Sequence, residues 1–160
     1  MLHVFVVLLS YRLGQAPAAT TTDCRPDSPS GQQVRAVADG IIAADNARDL
    51  ERVRAFYAAD AVLLPPEETP VQGWNAIRPR YEALFSGFNP AISGHIDEIC
   101  VSGAFAFVRG RNDGRLEGRD GQTSRVLNDV YLMLLRYQAG TGWRISHLVW
   151  HSTTRGRRTP

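Results

Sequence analysis

Gly87-Phe88-Asn89-Pro90 decides the fold, because the hydrophobic period of the chain changes across it. Upstream, Val34, Val37, Ala38, Ile41 and Ile42 fall at i, i+3, i+4, i+7 and i+8, one face of an amphipathic helix. Asn46-Ala47-Arg48-Asp49 breaks that pattern, and Asp49 has the short acceptor side chain that caps a second helix. Leu50, Val53, Phe56 and Tyr57 share a face of it, and its expected end is near Ala59. Ala61-Val62-Leu63-Leu64 reads as a short strand stopped by Pro65-Pro66. Gly73 precedes a third helix with Ile77, Tyr81, Leu84 and Phe85 on one side, where Pro79 is tolerable only in the first turn.

Downstream the period is 2. Ile92 to Val101 is a strand, Ser102-Gly103 a turn, and Ala104 to Arg111 the next strand. Asn112 to Thr123 holds glycines among alternating charges and reads as an exposed hairpin loop. Ser124 to Tyr137 is a long strand, and Ala139-Gly140-Thr141-Gly142 turns into the last one, Trp143 to His151. Three helices followed by an antiparallel meander, with no βαβ rhythm, give an α+β fold with helices packed on one face of a sheet.

A chain of 160 residues makes one domain and can bury a core of its own. A net charge of +2 argues against nucleic acid, which calls for a basic stripe with interleaved aromatics. The one basic cluster, Arg155, Arg157 and Arg158, belongs to a solvated tail over 153–160. Leu2 to Leu9 is apolar and is followed by Ala16-Pro17-Ala18, so residues 1–18 read as a signal peptide and predict export, although no Lys or Arg precedes the apolar run. That run is too short to span a bilayer, which takes about 20 apolar residues. Residues 19–32 read as a polar spacer, and 33–152 as the domain. Cys24 and Cys100 suit a disulfide if the chain is exported, and two separate thiols if it is not. No compact ligand spacing calls for a metal, and nothing calls for a flavin or nicotinamide. Gly110-Arg111-Asn112-Asp113-Gly114 reads as a turn between strands, not a phosphate cradle.

Three runs carry a resemblance: Asp45-Asn46-Ala47-Arg48-Asp49-Leu50, then Phe56-Tyr57-Ala58-Ala59-Asp60-Ala61-Val62, then Gly73-Trp74-Asn75-Ala76-Ile77. With Gly103 to Val108, Asp129-Val130-Tyr131 and Gly142-Trp143-Arg144-Ile145, the chain from Val34 to His151 resembles the nuclear transport factor 2-like superfamily. More narrowly it is similar to the SnoaL-like and ketosteroid-isomerase-like branches. The resemblance implies a cone-shaped roll, a curved antiparallel sheet closed by three helices around a deep apolar pocket. It implies as concave faces Phe105, Phe107, Arg109 and Arg111 on one strand, and Leu127, Asp129, Tyr131 and Met133 on the next. On the last strand it implies Trp143, Ile145, His147, Val149 and His151, with Trp74 and Tyr81 closing the wall. A single bulge would invert any of these lists.

Asp129 stands on a strand otherwise rich in apolar residues, where desolvation raises a carboxyl pKa toward the range useful for proton transfer. It also has a structural reading, an ion pair with Arg109 bracing two strands. By resemblance it matches the acid that donates a hydrogen bond to the oxyanion in ketosteroid isomerases. The positions of the other two catalytic groups fall at Pro65 and Ile41, which can neither move a proton nor donate a hydrogen bond, so a steroid isomerase mechanism does not follow. Asp129 with His147 is the remaining acid–base pair, and Arg109 or Tyr81 would steady an enolate. His151 stands at the pocket mouth, and Arg109 and Arg111 could recognise an anionic or carbonyl group or pair with Glu98.

The sequence thus supports three functions. One is an enzyme without cofactor that moves a proton next to a carbonyl, as an isomerase, cyclase or dehydratase. The second is an exported, non-catalytic binder of a small apolar or carbonyl-bearing ligand. The third is a homodimeric assembly module joined by the outer sheet face, with Leu132, Leu148 and Trp150 pointing outward.

Overall fold

The computed structural model describes residues 21–153. The signal peptide expected over 1–18 and nearly all of the basic tail lie outside the described residues. The described part of the expected spacer is structured: β1 (Thr22–Asp23) and the first turn of α1 (Pro29–Ala47) fall within it. Ser28 caps α1 by accepting from the Gly31 N–H at 3.1 Å, and Pro29 takes the first position, where its missing N–H has no role. The helix ends at Arg48, whose left-handed backbone (φ 54°) returns its N–H to the Ala44 and Asp45 carbonyls.

Asp49 caps α2 (Leu50–Phe56) by accepting from the Arg52 N–H at 3.0 Å. That helix stops before Ala59, because the chain enters β2 (Tyr57–Leu64) at once. Gly40 lies mid-helix in α1 for a packing reason: a β-carbon there would stand 2.4 Å from the Phe56 ring of α2. After β3 (Val71–Gln72), α3 (Trp74–Gly87) carries Pro79 beyond its first turn, a correction to the expected position. The ring removes the N–H that would reach Asn75, and the helix continues because Ile77 and Phe85 are buried.

The sheet order is β1-β4-β5-β6-β7-β2-β3, antiparallel throughout except for β2 beside β7. β4 (Phe88–Ser102) and β5 (Phe105–Gly118) are longer than the sequence suggests, pairing from Ser102↔Phe105 out to Phe88↔Gly118. The loop expected from Asn112 is therefore strand as far as Gly118, and Gly110 to Gly114 is no turn. Gly114 (φ +145°) lets the backbone pass where a β-carbon would meet the Ala91 carbonyl at 2.1 Å. The true turn is shorter: the Asp120 carboxylate accepts from the Gln122 and Thr123 N–H groups, which hold its pKa down at about 2 together with the Thr123 hydroxyl, the largest cause.

β6 (Ser124–Gln138) and β7 (Gly142–Ser152) complete the sheet. One residue slips out of register at Asp97 in β4 and another at Ser146 in β7. Such bulges bend strands, and here they accompany a sheet curled over the helices. The core fills the concavity, with Val34 and Ile41 of α1 against Val108, Leu135 and Ile145 of the sheet. Cys24 and Cys100 are joined as a disulfide that ties the edge strand β1 to β4. Among the described residues, no helix is long and apolar enough to cross a membrane.

Candidate functional site

A cavity of about 380 Å³ lies between the concave sheet face and the helices. Ile42 and Asp45 reach it from α1, and Arg80, Tyr81 and Leu84 from α3. Tyr57 and Leu63 come from β2, Ile92 from β4, and Asn112 and Leu116 from β5. Leu127, Asp129 and Tyr131 of β6 face Leu148 and Trp150 of β7. Apolar side chains make up the larger part of the walls, and seven polar ones are set among them, a make-up that suits a small-molecule site.

The site residues expected on β6 are here: Asp129 and Tyr131 line the cavity, and Met133 borders a small inner recess. Tyr81 lines it too, while Trp74 stands one layer behind, its ring 6.5 Å from those of both Tyr57 and Tyr81. The lists for β5 and β7 need correction. On β5 the inward residues are Ala106, Val108 and Asn112, so Phe105, Phe107, Arg109 and Arg111 lie on the convex face. Arg109 bonds Glu98 at 3.1 Å and Asp97 at 3.3 Å, and Arg111 bonds Asp97 at 2.7 Å. The Asp129–Arg109 pair is therefore not formed, and neither arginine serves the cavity.

On β7 the bulge at Ser146 reverses the alternation. Trp143 and Ile145 point inward as expected, but beyond the bulge Leu148 and Trp150 do so. His147, Val149 and His151 face outward, so His147 is no acid–base partner of Asp129 inside the cavity, and Leu148 and Trp150 are not dimer-face residues. The Nδ1 of His147 instead lies 3.3 Å from the Ser146 hydroxyl.

Asp45 is the group the sequence reading missed. It follows Ile41 by four residues on the buried stripe of α1, and an acid on an apolar stripe was the available signal. Its Oδ1 is sealed from solvent with no hydrogen-bond partner among the described residues, and burial pushes its pKa up to about 8. The neighbouring Asn46 fixes that end of the helix. Its amide donates to the Ile92 carbonyl at 2.8 Å and accepts from the Ile92 N–H at 2.8 Å, clamping α1 to β4.

Around Asp45, Tyr57 and Tyr81 share a hydrogen bond of 2.9 Å between their hydroxyls. Burial raises both phenols, and the charge of Asp45 adds to the rise, so both keep their protons at working pH. Tyr131 is pushed up to about 12 by burial, with Asp39 and Asp97 adding to it. Its ring occupies space that a side chain at position 110 would need: a β-carbon on Gly110 would lie 2.6 Å from the Tyr131 hydroxyl. Asp129 is also raised by burial, opposed by a hydrogen bond with Ser152 and by the charge of His151. Arg80, the one basic residue lining the cavity among the described residues, is engaged by Glu68 through bonds of 2.6 and 3.2 Å. Among the described residues, no group of three His, Cys, Asp or Glu could hold a metal ion.

A family model described as a SnoaL-like domain matches residues 20–146. No curated protein matches the chain. A ketosteroid isomerase-like protein from Erwinia carotovora atroseptica is similar in structure, with TM-score 0.73 and 23% identity over 79% of this chain and 98% of that one. A conserved protein from Planctomyces limnophilus is similar at TM-score 0.70, with 19% identity over 74% of this chain and 91% of its own. A nuclear transport factor 2 superfamily protein from Salmonella enterica gives 0.67, with 15% identity over 82% and 96%. At such identities the likeness concerns the fold alone.

Proposed function

The chain belongs to the SnoaL-like domain family, and from that premise we propose that its cavity moves a proton next to a carbonyl, as an isomerase, cyclase or dehydratase acting on a small uncharged substrate. One observation carries the reading: Asp45 lines the cavity with a buried carboxyl whose Oδ1 has no hydrogen-bond partner among the described residues, and it keeps its proton up to about pH 8. A buried acid of that kind donates at neutral pH, where an ordinary aspartate cannot. Asp129 shares the cavity, and its partial exposure with the opposing pull of Ser152 and His151 keeps it the better carboxylate. Burial raises both carboxyls, the more enclosed Asp45 further, and the two divide the work. Asp129 takes the proton from the carbon beside the carbonyl, and Asp45 gives one to the oxygen that gathers charge. The Tyr57–Tyr81 pair offers a further O–H donor.

Deuterium uptake at the α-carbon of 2-tetralone in deuterated buffer tests this without knowledge of the natural substrate. The wild-type protein is expected to speed exchange by about 10²–10⁴ over Asp129→Asn. The rate should fall as pH rises through about 8, because Asp45 then loses the proton it donates. Exchange no faster than in Asp129→Asn would leave a binder rather than an enzyme.

We propose in addition that the protein is exported, which the disulfide supports, since such bonds persist in oxidising compartments. The convex face favours a homodimer. Val130, Leu132 and Leu134 of β6 are exposed there beside Val149 of β7 and Leu64 of β2. Arg109, Arg111, Asp97 and Glu98 flank them with both signs of charge, as a self-complementary surface requires. Light scattering should report two subunits for the wild type and one for Leu132→Arg. A monomeric wild type would sink the dimer.

A further inference from the structure

The inner recess of the cavity, about 50 Å³, is bordered by Asp45, Asn112 and Tyr81 among apolar side chains such as Ile41, Met133 and Leu148. Two polar atoms of its lining residues, Asp45 Oδ1 and Asn112 Oδ1, are sealed from solvent and lack a partner among the described residues. Leaving such atoms unserved is costly, and native proteins rarely tolerate two in one place without a use. Asn112 Oδ1 can only accept. The Asp45 carboxyl, protonated at neutral pH, can donate. A single ligand group that both accepts and donates would serve both residues.

We infer that this recess is a hydroxyl-binding subsite: an uncharged, ring-sized ligand places one O–H there, donating to Asn112 Oδ1 and accepting from the Asp45 carboxyl. A ketone or an ether can accept from Asp45 but leaves Asn112 unserved. An ammonium can donate but cannot accept, and it would lose its water among Ile41, Met133 and Leu148. A carboxylate would face two oxygens of its own kind, with the Arg80 guanidinium already held by Glu68. The recess therefore narrows the substrate class to one carrying a hydroxyl and the reaction to dehydration, in which Asp129 takes the proton beside the carbonyl, the C–O bond breaks, and the hydroxyl oxygen that gathers charge takes the Asp45 proton and leaves as water; the inference rests on the reading of the cavity as a substrate pocket.

The test is binding rather than turnover, so its failure is distinct from a failure of catalysis. Calorimetry would compare 1-indanol with 1-indanone, 1-methoxyindane, 1-aminoindane and indane-1-carboxylate on the whole protein at neutral pH. 1-Indanol should bind about tenfold or more tightly than the ketone and the ether, which corresponds to one buried hydrogen bond. In Asn112→Leu that preference should shrink to about twofold or less. Asn112→Ala, which adds no bulk, serves as a second variant should the first not fold. Equal affinity for the alcohol and the ether overturns the subsite, as does tightest binding of the amine. A preference for the alcohol that survives both substitutions overturns the role of Asn112, and no binding of any of the five overturns the recess as a ligand site.

Discussion

Asp45→Asn is expected to abolish proton transfer and, in the same protein, to raise stability at neutral pH. The two effects have one cause. Burial lifts the carboxyl from its ordinary 3.8 to about 8, so between those values the folded chain holds a proton that the unfolded chain releases. Stability rises with pH only where the unfolded state binds more protons. Here it binds fewer, so the contribution of Asp45 to stability falls as pH climbs from 3.8 to about 8 and levels off above. Each pH unit inside the window costs about 1.4 kcal/mol at the limit. Asparagine is near-isosteric and carries no such linkage. It still buries a polar amide, so the net gain expected at neutral pH is about 1–3 kcal/mol. Denaturant midpoints of the two proteins should cross inside the window, the variant being the less stable at its lower end and the more stable at neutral pH. A constant gap would mean that Asp45 is not a buried, proton-holding group. Loss of activity with a gain in stability marks a residue kept for chemistry at a cost to the fold.

Most of the fold was legible because its signals are local. The buried stripe of α1, the Asp49 cap and the change to period 2 after Gly87-Phe88-Asn89-Pro90 each need only neighbouring residues to be read. The site was legible only in part, because membership of a face depends on the parity of every residue before it. β6 keeps its alternation along the cavity, and Asp129, Tyr131 and Met133 are found where the sequence puts them. β7 gains one residue at Ser146, which carries no sequence mark, and everything after it changes sides. β5 misled through composition. Phe105 and Phe107 look like pocket aromatics, yet the concave side there holds Ala106, Val108 and Gly110. Small residues are needed because the Tyr131 phenol of the next strand leans over Gly110. Asp45 stayed hidden for a different reason: a helix pattern marks which residues are buried, and a polar residue on the stripe looks like the end of the pattern.

Replacing both cysteines by alanine is expected to cost a large part of the stability while leaving the cavity intact. Cys24 and Cys100 are 76 residues apart in sequence, so the bond holds most of the domain in one loop of the unfolded chain. By loop entropy alone, removing such a constraint costs about 4 kcal/mol, and measured values commonly fall to about 2–4 kcal/mol. In the folded state the bond does local work only. It fastens β1, which pairs with β4 through Thr22↔Ser102 and Asp23↔Val101 alone. The turn that follows is held by other contacts, since the Ser28 hydroxyl donates to the Arg25 carbonyl at 2.9 Å and accepts from the Gly31 N–H. The start of α1 should therefore persist without the disulfide. Asp45 lies near the far end of that 19-residue helix, roughly 25 Å from its first turn. Denaturant unfolding should show the lowered midpoint, and amide exchange should show protection lost at β1 before α1. Ligand affinity should stay within about twofold of the wild type, because β1 and the cavity share no residue. An unchanged midpoint would mean that the unfolded chain is compact enough without the bond. A lost affinity would mean that the edge strand sets the curvature of β4, and through it the position of Ile92 and the Asn46 clamp.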